Sequence, residues 1–303
     1  MCKIRKGAVT KEQDLERAER RAKREIRKQK QREANINRAQ KMHKARIAAS
    51  DLICQTPDLP TINVGCSGWF YWHWRGQFYP EDMPTKDWFN HYSDNFETVE
   101  LNAPFYSWPT IANVAIWQRQ AGIKKFVYTV KVCELITHIK RFTGTKTLVQ
   151  DFGYISDLLE PRMGCFLYQL PPSFHYTPAR LRQIVIQLDP RLRNVVEFRH
   201  ISWWNEEVYT AFREAGIIFC SCSGPRLPEE LISTTDEVYI RFHGRKKWYL
   251  YDYSEEELID WAKRISQSGA KRIWAYFNND REGFAIDNAK TFIRILQLSP
   301  NIG

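Results

Sequence analysis

The chain has 303 residues, of which 43% are hydrophobic, 14% aromatic and 26% charged, and its formal net charge is +10. This length gives one large domain or two small ones, and the hydrophobic content excludes a wholly disordered chain. No run approaches the roughly 20 apolar residues of a membrane span, and the N-terminus has no apolar secretory stretch. Seven scattered cysteines favour a reducing compartment, so we expect a cytoplasmic protein.

The positive charge is concentrated near the N-terminus. Residues 1–50 hold 17 Lys and Arg against 6 Asp and Glu, whereas residues 51–303 hold 28 against 29. All 42 aromatic residues lie in the second of these segments. The basic character therefore belongs to an extension, and the folded body is almost neutral. We predict an extension over residues 1–60, which ends in a proline-containing linker from Asp51 to Thr61.

Between Lys11 and Arg46 the extension has no Pro or Gly and consists mainly of strong helix formers. Glu16 and Arg20 are spaced as a favourable helical ion pair. Large apolar side chains are too sparse for a coiled coil, so we expect a helical or disordered segment that adds little to a core. On this basis, deletion of residues 1–50 should leave the thermal midpoint of the body within a few degrees. The other interpretation is a basic arm for nucleic acid or for an acidic protein surface.

The body, residues 61–303, contains eight short runs that are rich in β-branched and aromatic residues, and helical stretches separate them. Eight strand–helix units in one domain predict an α/β fold of the (β/α)8 TIM-barrel type. A doubly wound sheet is less favoured, because no glycine-rich phosphate fingerprint follows the first strand. The predicted strands are Ile62–Cys66, Glu97–Leu101, Phe126–Val130, Cys165–Gln169, Val195–Phe198, Ile217–Cys220, Val238–Phe242 and Ile273–Phe277.

Residues at the ends of the helical stretches support this alternation. Thr177 before Pro178 is typical of a helix N-terminus, and Ser254 three residues before Glu257 predicts a capping box. Glycines also close helical stretches shortly before a strand, as expected of residues that follow a helix C-terminus. These glycines are Gly122, Gly216 and Gly269.

The predicted strands turn polar at their carboxyl ends, which is where barrels of this type carry their ligand sites. Alternation along each strand places Glu197 with Arg199, and Arg241 with His243, on one face. Charges this deep in apolar strands are costly unless they are paired, so they predict either a salt-bridge network that closes the barrel top or a ligand site. The candidate ligand-binding residues are Ser67, Trp69, Asn102, Tyr106, Lys131, His138, Gln169, Arg199, Trp203, Arg241, His243 and Asn278, and the candidate catalytic carboxylates are Glu100 and Glu197.

Seven sequence blocks resemble, in order, signature segments of one family. They include GCSGWFYWHWRGQFYP (65–80), TVELNAPFYSWP (98–109), VVEFRHISWW (195–204) and YIRFHGR (239–245). The resemblance is to the domain-of-unknown-function-72 family, the YecE-like TIM-barrel proteins, and it covers about residues 62–298. It implies a TIM barrel and no established activity. The fold it implies is similar to the endonuclease IV and xylose isomerase barrels, which makes nucleic-acid binding an expectation.

The residue types at the strand ends weigh against several kinds of chemistry. Histidine and glutamate side chains could ligate a metal there, but three cations stand among them and would repel a divalent ion, so we predict no metal and no cofactor. Lys131 is expected not to form a Schiff base, because neighbouring carboxylates would raise its pKa. Cys220 and Cys222 are predicted to be buried, inert thiols. Glu100 and Glu197 could act as an acid/base pair, although their cationic neighbours favour ion pairs.

Cations beside aromatic loops are the combination that binds phosphate and stacks unpaired bases. The leading hypothesis is therefore a barrel that binds a phosphate-containing small molecule or single-stranded nucleic acid at its rim, with the extension adding non-specific affinity. Two alternatives stay open: a metal-independent enzyme for a small phosphorylated or sugar-like substrate, and a non-catalytic scaffold. No membrane partner is predicted, and the sequence points to no particular protein partner.

Overall fold

The computed structural model describes residues 11–49 and 59–299, so most of the predicted linker lies outside the described residues. All eight predicted strands are present, with ends that differ from the prediction by no more than a few residues. They are β1 (Ile62–Cys66), β2 (Thr98–Leu101), β3 (Val127–Lys131), β4 (Met163–Gln169), β5 (Asn194–Glu197), β6 (Ile218–Ser223), β7 (Glu237–Phe242) and β8 (Arg272–Phe277).

The strands are parallel and form one sheet in the order β1-β8-β7-β6-β5-β4-β3-β2. Because β1 and β2, at the two ends of this order, also lie side by side, the sheet curls into a nearly closed barrel. The predicted (β/α)8 barrel is therefore confirmed. The carboxyl ends of the strands, where Glu100, Lys131, Glu197 and Arg241 lie, form one end of the barrel, which we call the mouth.

Helices connect the strands around the outside of the barrel. They are α1 (Lys11–Ala48), α2 (Trp88–Asn95), α3 (Ala103–Tyr106), α4 (Ile111–Ala121), α5 (Lys146–Gly153), α6 (Ile155–Leu159), α7 (Pro178–Val185), α8 (Glu206–Ala215), α9 (Glu255–Ser268) and α10 (Phe284–Leu298), with a π-helical turn (Leu135–Ile139) after β3. The predicted caps are observed at Thr177 and at Ser254 with Glu257, and the three predicted glycines follow α4, α8 and α9. Within the described residues, no helix is both long and apolar enough to cross a bilayer.

Side chains, and not a backbone ladder, join β1 to β2 in the described structure. The Tyr92 hydroxyl accepts a hydrogen bond from the Cys66 N–H (2.8 Å) and donates one to the Thr98 carbonyl (3.1 Å). Gly65 is required at this point, because a Cβ atom there would lie 2.4 Å from the Thr98 carbonyl oxygen. The two strands therefore approach closely and share one bridging phenol.

Charges around Glu237 close the amino-terminal end of the barrel. The Glu237 carboxylate accepts hydrogen bonds from Arg193 (3.1 Å), Arg272 (2.7 Å) and the indole N–H of Trp274 (2.7 Å). This cluster, in which two arginines share one carboxylate, was not among the predicted sites. It leaves the mouth as the end of the barrel that can carry a ligand site.

The second half of α1 packs on the barrel, contrary to the prediction for the extension. Asn35, Ala39 and Met42 are buried. The Asn35 carboxamide donates to the Tyr106 carbonyl (3.1 Å) and accepts from the Trp108 N–H (3.0 Å), so it replaces backbone partners at the end of α3. The prediction that the extension adds little to the core is wrong for this half, because a small, a polar and a flexible side chain form its docking face instead of large apolar ones.

An ion-pair cluster fixes the end of α1. The buried carboxylate of Asp151, in α5, lies 3.0 Å from His43 Nδ1 and 2.9 Å from Arg46 Nε. By contrast, residues 13–30 are exposed throughout, as predicted, and the predicted pair between Glu16 and Arg20 forms at 3.1 Å. The extension is thus half docked and half solvated.

Truncation should distinguish the two halves. Removal of residues 1–30 should leave the thermal midpoint within a few degrees, because it removes only exposed side chains. Removal of residues 1–50 should reduce the free energy of unfolding by about 3–5 kcal/mol, since it exposes the surface under Met42 and removes both α1 partners of the Asp151 carboxylate. The midpoint should then fall by about 10 °C, measured by scanning calorimetry.

A pair of point variants on α1 provides the control. Met42→Ala should destabilise the protein by about 2–4 kcal/mol, whereas Ile36→Ala, on the exposed side of the same helix, should change stability by less than about 0.5 kcal/mol. Equal midpoints for the full chain and the protein without residues 1–50 would contradict a stabilising contact between helix and barrel.

Candidate functional site

Arg241 lies at the centre of the mouth, where two carboxylates hold its guanidinium. One terminal nitrogen donates to Glu197 Oε2 (2.6 Å), and the other donates to Glu100 Oε1 (2.5 Å). All three side chains are at most 1% exposed. Because β7 supplies the arginine while β2 and β5 supply the glutamates, these ion pairs join three strands across the lumen.

Hydroxyl groups complete the hydrogen bonding of Glu100. Ser67, which directly follows β1, donates to Oε1 (2.7 Å), and Tyr239 donates to Oε2 (2.6 Å). Tyr239 was missed by the sequence analysis, although it lies two residues before Arg241 and strand alternation alone places it on the same face. The Glu100 carboxylate therefore has partners on both oxygens.

His243 joins the network as a neutral base. Its Nε2 lies 3.0 Å from a terminal nitrogen of Arg199 and 3.3 Å from Glu197 Oε1. Its Nδ1 lies 3.2 Å from the side-chain nitrogen of Asn278, so both ring nitrogens have polar neighbours. Burial, together with the positive charges of Arg199 and Arg241, holds the pKa of His243 well below its usual range.

The glutamates of this network are suited to ion pairing and not to proton transfer. Burial alone would raise the pKa of Glu197, but the Arg199 and Arg241 guanidiniums hold it well below its usual range. Arg199 Nε also donates to Glu197 Oε1, so both oxygens of this carboxylate are occupied as well. An ionised carboxylate in this position has no proton to donate. The geometry therefore disfavours the acid/base role that the sequence suggested for Glu100 and Glu197.

An indole covers the outer side of the network. The Arg199 guanidinium lies 4.5 Å from the centroid of the Trp248 ring, and the His243 ring lies 5.3 Å from the same indole. Trp248 reaches this position across Gly224, where a Cβ atom would lie 2.9 Å from the indole ring. The result is that Arg199 is paired on one side and covered on the other.

Lys131 differs from the other two predicted cations. It ends β3 half-buried, and its Nζ lies 4.2 Å from the centroid of the Phe105 ring. Within the part of the chain that the structure describes, it has no ion pair and no hydrogen bond. Burial, followed by the positive charge of Arg241, lowers the pKa of Lys131 to about 7. The carboxylates of Glu197 and Glu100 do raise the pKa of Lys131, as predicted, but burial and the two guanidiniums outweigh them, so the expected net rise is not observed.

His138 lies against the same aromatic ring. It belongs to the π-helical turn after β3, and its ring is perpendicular to that of Phe105 with centroids 4.9 Å apart. Its Nδ1 is hydrogen-bonded to the Thr137 hydroxyl (2.9 Å). Burial and the neighbouring Lys131 lower the pKa of His138 to about 4, so it is neutral near pH 7. We call Lys131, Phe105 and His138 the Lys131 cluster.

Two predicted amides also lie at the mouth. The Asn102 amide donates to the Ser67 carbonyl (3.0 Å), and the Asn102 Oδ1 is buried without a hydrogen-bond partner among the described residues. The Gln169 amide, at the end of β4, donates to the Leu170 carbonyl (2.8 Å). Both side chains are held by neighbouring backbone.

Three predicted aromatic residues are placed differently from one another. Trp203 is fully buried and stacks on Phe198 with ring centroids 4.0 Å apart, so it packs the core and does not reach a ligand. Trp69 is half-buried and packs edge-on against Phe89 (5.2 Å). Only Tyr106 presents an open ring, with 63% of its surface exposed beside the mouth. The sequence could not separate these cases, because all three follow a strand in an aromatic loop.

One group of side chains has the composition of a metal site. Ligand atoms of Glu197, Cys222 and His243 lie within 4.8 Å of one another. However, the Arg199 guanidinium donates to Glu197 and lies 3.0 Å from His243 Nε2, and the Arg241 guanidinium lies beside them. Two fixed positive charges next to these three ligand atoms do not fit a divalent cation.

The cysteines in the described residues are buried thiols. The sulfur atoms of Cys220 and Cys222 lie 3.8 Å apart inside β6. Burial raises the pKa of Cys220, as it does for Cys66 and Cys165 in the barrel wall. The buried position predicted for Cys220 and Cys222 is thus observed.

The fold and the mouth together define a (β/α)8-barrel protein with a buried charge network beside a lysine that has no carboxylate partner within residues 11–49 and 59–299. The chain belongs to the family described as Protein of unknown function DUF72, which matches residues 63–302. The family resemblance seen in the sequence is thus confirmed.

Similar proteins cover most of the chain. UPF0759 protein YunF of Bacillus subtilis (strain 168) is 28% identical in an alignment of 273 residues that covers 78% of this chain and 95% of that protein. The crystal structure of a DUF72 family protein from Thermotoga maritima MSB8 is 30% identical with a TM-score of 0.71, and it covers 78% of this chain and 100% of its own. A DUF72 family protein from Enterococcus faecalis V583 is 20% identical with a TM-score of 0.67, covering 80% and 98% of the two chains, and bears on the fold alone.

The charge network should behave as a coupled unit in denaturation experiments. Arg241→Met should reduce the free energy of unfolding by about 3–5 kcal/mol, because it leaves two carboxylates buried with a partner missing. Arg199→Met should also destabilise, and pairing it with Glu197→Gln should recover much of the loss, since the unpaired charge is then removed. Urea unfolding followed by tryptophan fluorescence measures each value.

Lys131→Met is the matched control for the network. It removes a cation at the same end of the barrel but leaves no carboxylate unpaired, so stability should change by less than about 1.5 kcal/mol. Additive losses for Arg199→Met and Glu197→Gln would contradict the assignment of these two side chains to one ion pair.

Proposed function

We propose that the mouth binds a phosphate-containing ligand, a nucleotide or single-stranded nucleic acid, and that Lys131 is the cation that contacts the phosphate. The supporting observation is the difference between Lys131 and the two arginines. Arg199 and Arg241 are occupied by Glu197 and Glu100, whereas Lys131 has no anionic partner in the described residues. A phosphate that enters the mouth can therefore pair with Lys131 without breaking an existing ion pair.

The chemistry around Lys131 is consistent with this role. An anion beside Nζ would favour the charged form of the lysine and thus raise a pKa that burial has lowered to about 7. Tyr106, adjacent to Phe105 in the chain, offers an exposed ring on which an unpaired base can stack. Asn102 adds a buried carbonyl oxygen that could accept a hydrogen bond from a ligand.

Helix α1 supports binding of a longer polyanion. Gln31 and Asn35 donate to the Tyr106 carbonyl beside the mouth, whereas Arg46, further along the helix, reaches Asp151 in α5. The helix therefore runs from the mouth towards α5, and the exposed residues 13–30, which come before the contact with Tyr106, extend beyond the mouth. They hold eight Lys and Arg against four Asp and Glu and, as a helix, span about 27 Å. A single strand seated at the mouth could extend along this basic half.

Sulfate tests the anion contact, because its charge is constant across the neutral pH range. Lys131→Met should weaken sulfate binding about 10- to 100-fold, as expected for loss of a charge-assisted contact, and should remove the rise in thermal midpoint that sulfate causes. Lys131→Arg should keep that rise, because it keeps the charge. Lys140→Met, on the exposed end of the same connection, should behave as wild type.

The same measurement has a predicted pH dependence. Lys131 loses its proton as the pH rises through about 7, so the sulfate effect should shrink between about pH 6 and about pH 8.5 in the wild type. In Lys131→Arg it should persist across that range, because a guanidinium stays protonated. An equal sulfate effect in wild type and Lys131→Met would place the anion elsewhere.

Oligonucleotides test the contribution of α1. A full-length variant with Lys23, Arg24, Arg27 and Lys28 changed to Gln should bind a single-stranded oligonucleotide more weakly. Its plot of log affinity against log salt should lose up to about 3 units of slope, at ~0.7 per phosphate contact. Binding of a mononucleotide should not change. Fluorescence anisotropy at several salt concentrations gives both values, and an unchanged slope would show that the strand does not contact this half of α1.

A further inference from the structure

We propose that Lys131 forms a reversible Schiff base with the carbonyl carbon of a phosphorylated aldehyde or ketone bound at the mouth. This inference rests on the proposed function, because the same site must hold the phosphate group. It goes beyond that function by assigning covalent chemistry to the lysine nitrogen and a carbonyl group to the ligand.

The first requirement is an amine whose lone pair is not blocked by an ion pair. The Lys131 Nζ lies over the face of Phe105 and contacts no carboxylate in the described residues. The two carboxylates at the mouth accept hydrogen bonds from Ser67, Tyr239 and the two arginines, so they do not compete for Nζ. The lysine is held near charged groups without being paired to one.

The second requirement is a neutral amine at the working pH. With a pKa of about 7 in the protein without ligand, about half of the Lys131 side chains are neutral near pH 7. A bound phosphate raises this pKa, so the neutral fraction in the complex is smaller and the reaction becomes faster as the pH rises above 7. For a lysine in water the fraction is roughly one in two thousand. The causes, burial and a neighbouring guanidinium, are the two that activate lysine as a nucleophile in general. Arg241 provides that guanidinium, and its own charge is fixed because Glu100 and Glu197 raise its pKa.

The third requirement is a group that can move protons. Attack of neutral Nζ on the carbonyl carbon forms a C–N bond, and the nitrogen proton passes to the carbinolamine oxygen. A second proton, taken up from solvent, then goes to the carbinolamine hydroxyl, which leaves as water; this breaks the C–O bond and leaves a protonated imine, and hydrolysis reverses each step. Neutral His138 lies on the same Phe105 ring, and its Nδ1 is engaged by Thr137. Its Nε2 is therefore the ring nitrogen left to relay a proton.

A phosphate on the carbonyl compound fits the charge of the product. The protonated imine keeps the positive charge of lysine on the same nitrogen, so an anionic group of the ligand remains paired after the covalent step. An uncharged carbonyl compound would place that cation beside Phe105 without a counterion. The site therefore favours carbonyl compounds that carry their own anion.

Reductive trapping on the full-length protein tests the proposal. Pyridoxal 5′-phosphate is the probe, since it is an aldehyde with a phosphate, and pyridoxal is its phosphate-free control. Each is incubated with the protein and cyanoborohydride, which delivers hydride to the imine carbon and leaves a stable secondary amine. Peptide mapping by mass spectrometry then locates the modified lysine in the wild type, so the result does not depend on a variant that folds.

At about pH 7.5 we expect Lys131 to be modified at least tenfold faster than any other lysine. Pyridoxal should react there at least tenfold more slowly, and pyrophosphate should protect the site. Lys131→Arg should retain sulfate binding but lose the adduct, while Lys140→Met should retain both. The rate should rise with pH around 7, whereas an ordinary lysine would reach half of its maximum near pH 10.

The outcomes separate the two proposals. A sulfate effect that depends on Lys131, combined with no adduct at Lys131, overturns the Schiff base and leaves the phosphate site standing. An adduct at Lys131 that forms equally with pyridoxal and resists pyrophosphate supports the reactive amine and overturns phosphate recognition. Adducts spread over the surface lysines in proportion to their exposure overturn the special reactivity of Lys131.

Discussion

The guanidinium of Arg241 and the carboxylates of Glu100 and Glu197 lie out of water at the barrel axis, and the mouth is built around that constraint. A buried ion without partners is strongly disfavoured, so each oxygen of both glutamates must meet a donor. Ser67 and Tyr239 supply the donors that the arginine cannot. Four strands or strand ends are thereby held at fixed separations, and the wall of the mouth acquires a defined shape.

Charge balance in this network determines what the adjacent lysine can do. Two guanidiniums offset two carboxylates, so Lys131 sits beside a group of ions whose total charge is near zero. Burial and the positive charge of Arg241 then lower the pKa of Lys131 to about 7, and no carboxylate among the described residues pairs with its amine. One unpaired glutamate at the same distance would convert Lys131 into a permanent member of a salt bridge. Because the two arginines occupy the carboxylates of Glu100 and Glu197, these carboxylates do not form an ion pair with Lys131.

The barrel, and the proximity of Glu100, Glu197 and Arg241, could be predicted from the sequence. Strand alternation and the position of these residues near the carboxyl ends of their strands place all three side chains in the lumen. It could not assign their partners. Which donor reaches which oxygen depends on strand stagger and side-chain rotamers, so Arg199 and Lys131 looked equivalent until their contacts were known. The packing of α1 on the barrel was not predicted for a related reason, because the face of α1 is complementary to a surface that exists only once the barrel has folded.

Where β1 meets β2, the Tyr92 phenol takes the place of a ladder of backbone hydrogen bonds in the described structure. The contact between β1 and β2 therefore has few hydrogen bonds to break, and local opening of the barrel wall should occur there most readily. Immediately towards the mouth, the Ser67 hydroxyl crosses the same contact to Glu100, which is itself tied to Arg241. The ion network therefore also holds β1 and β2 together. Loss of its hydrogen bonds should make the lumen open to solvent more often between these two strands.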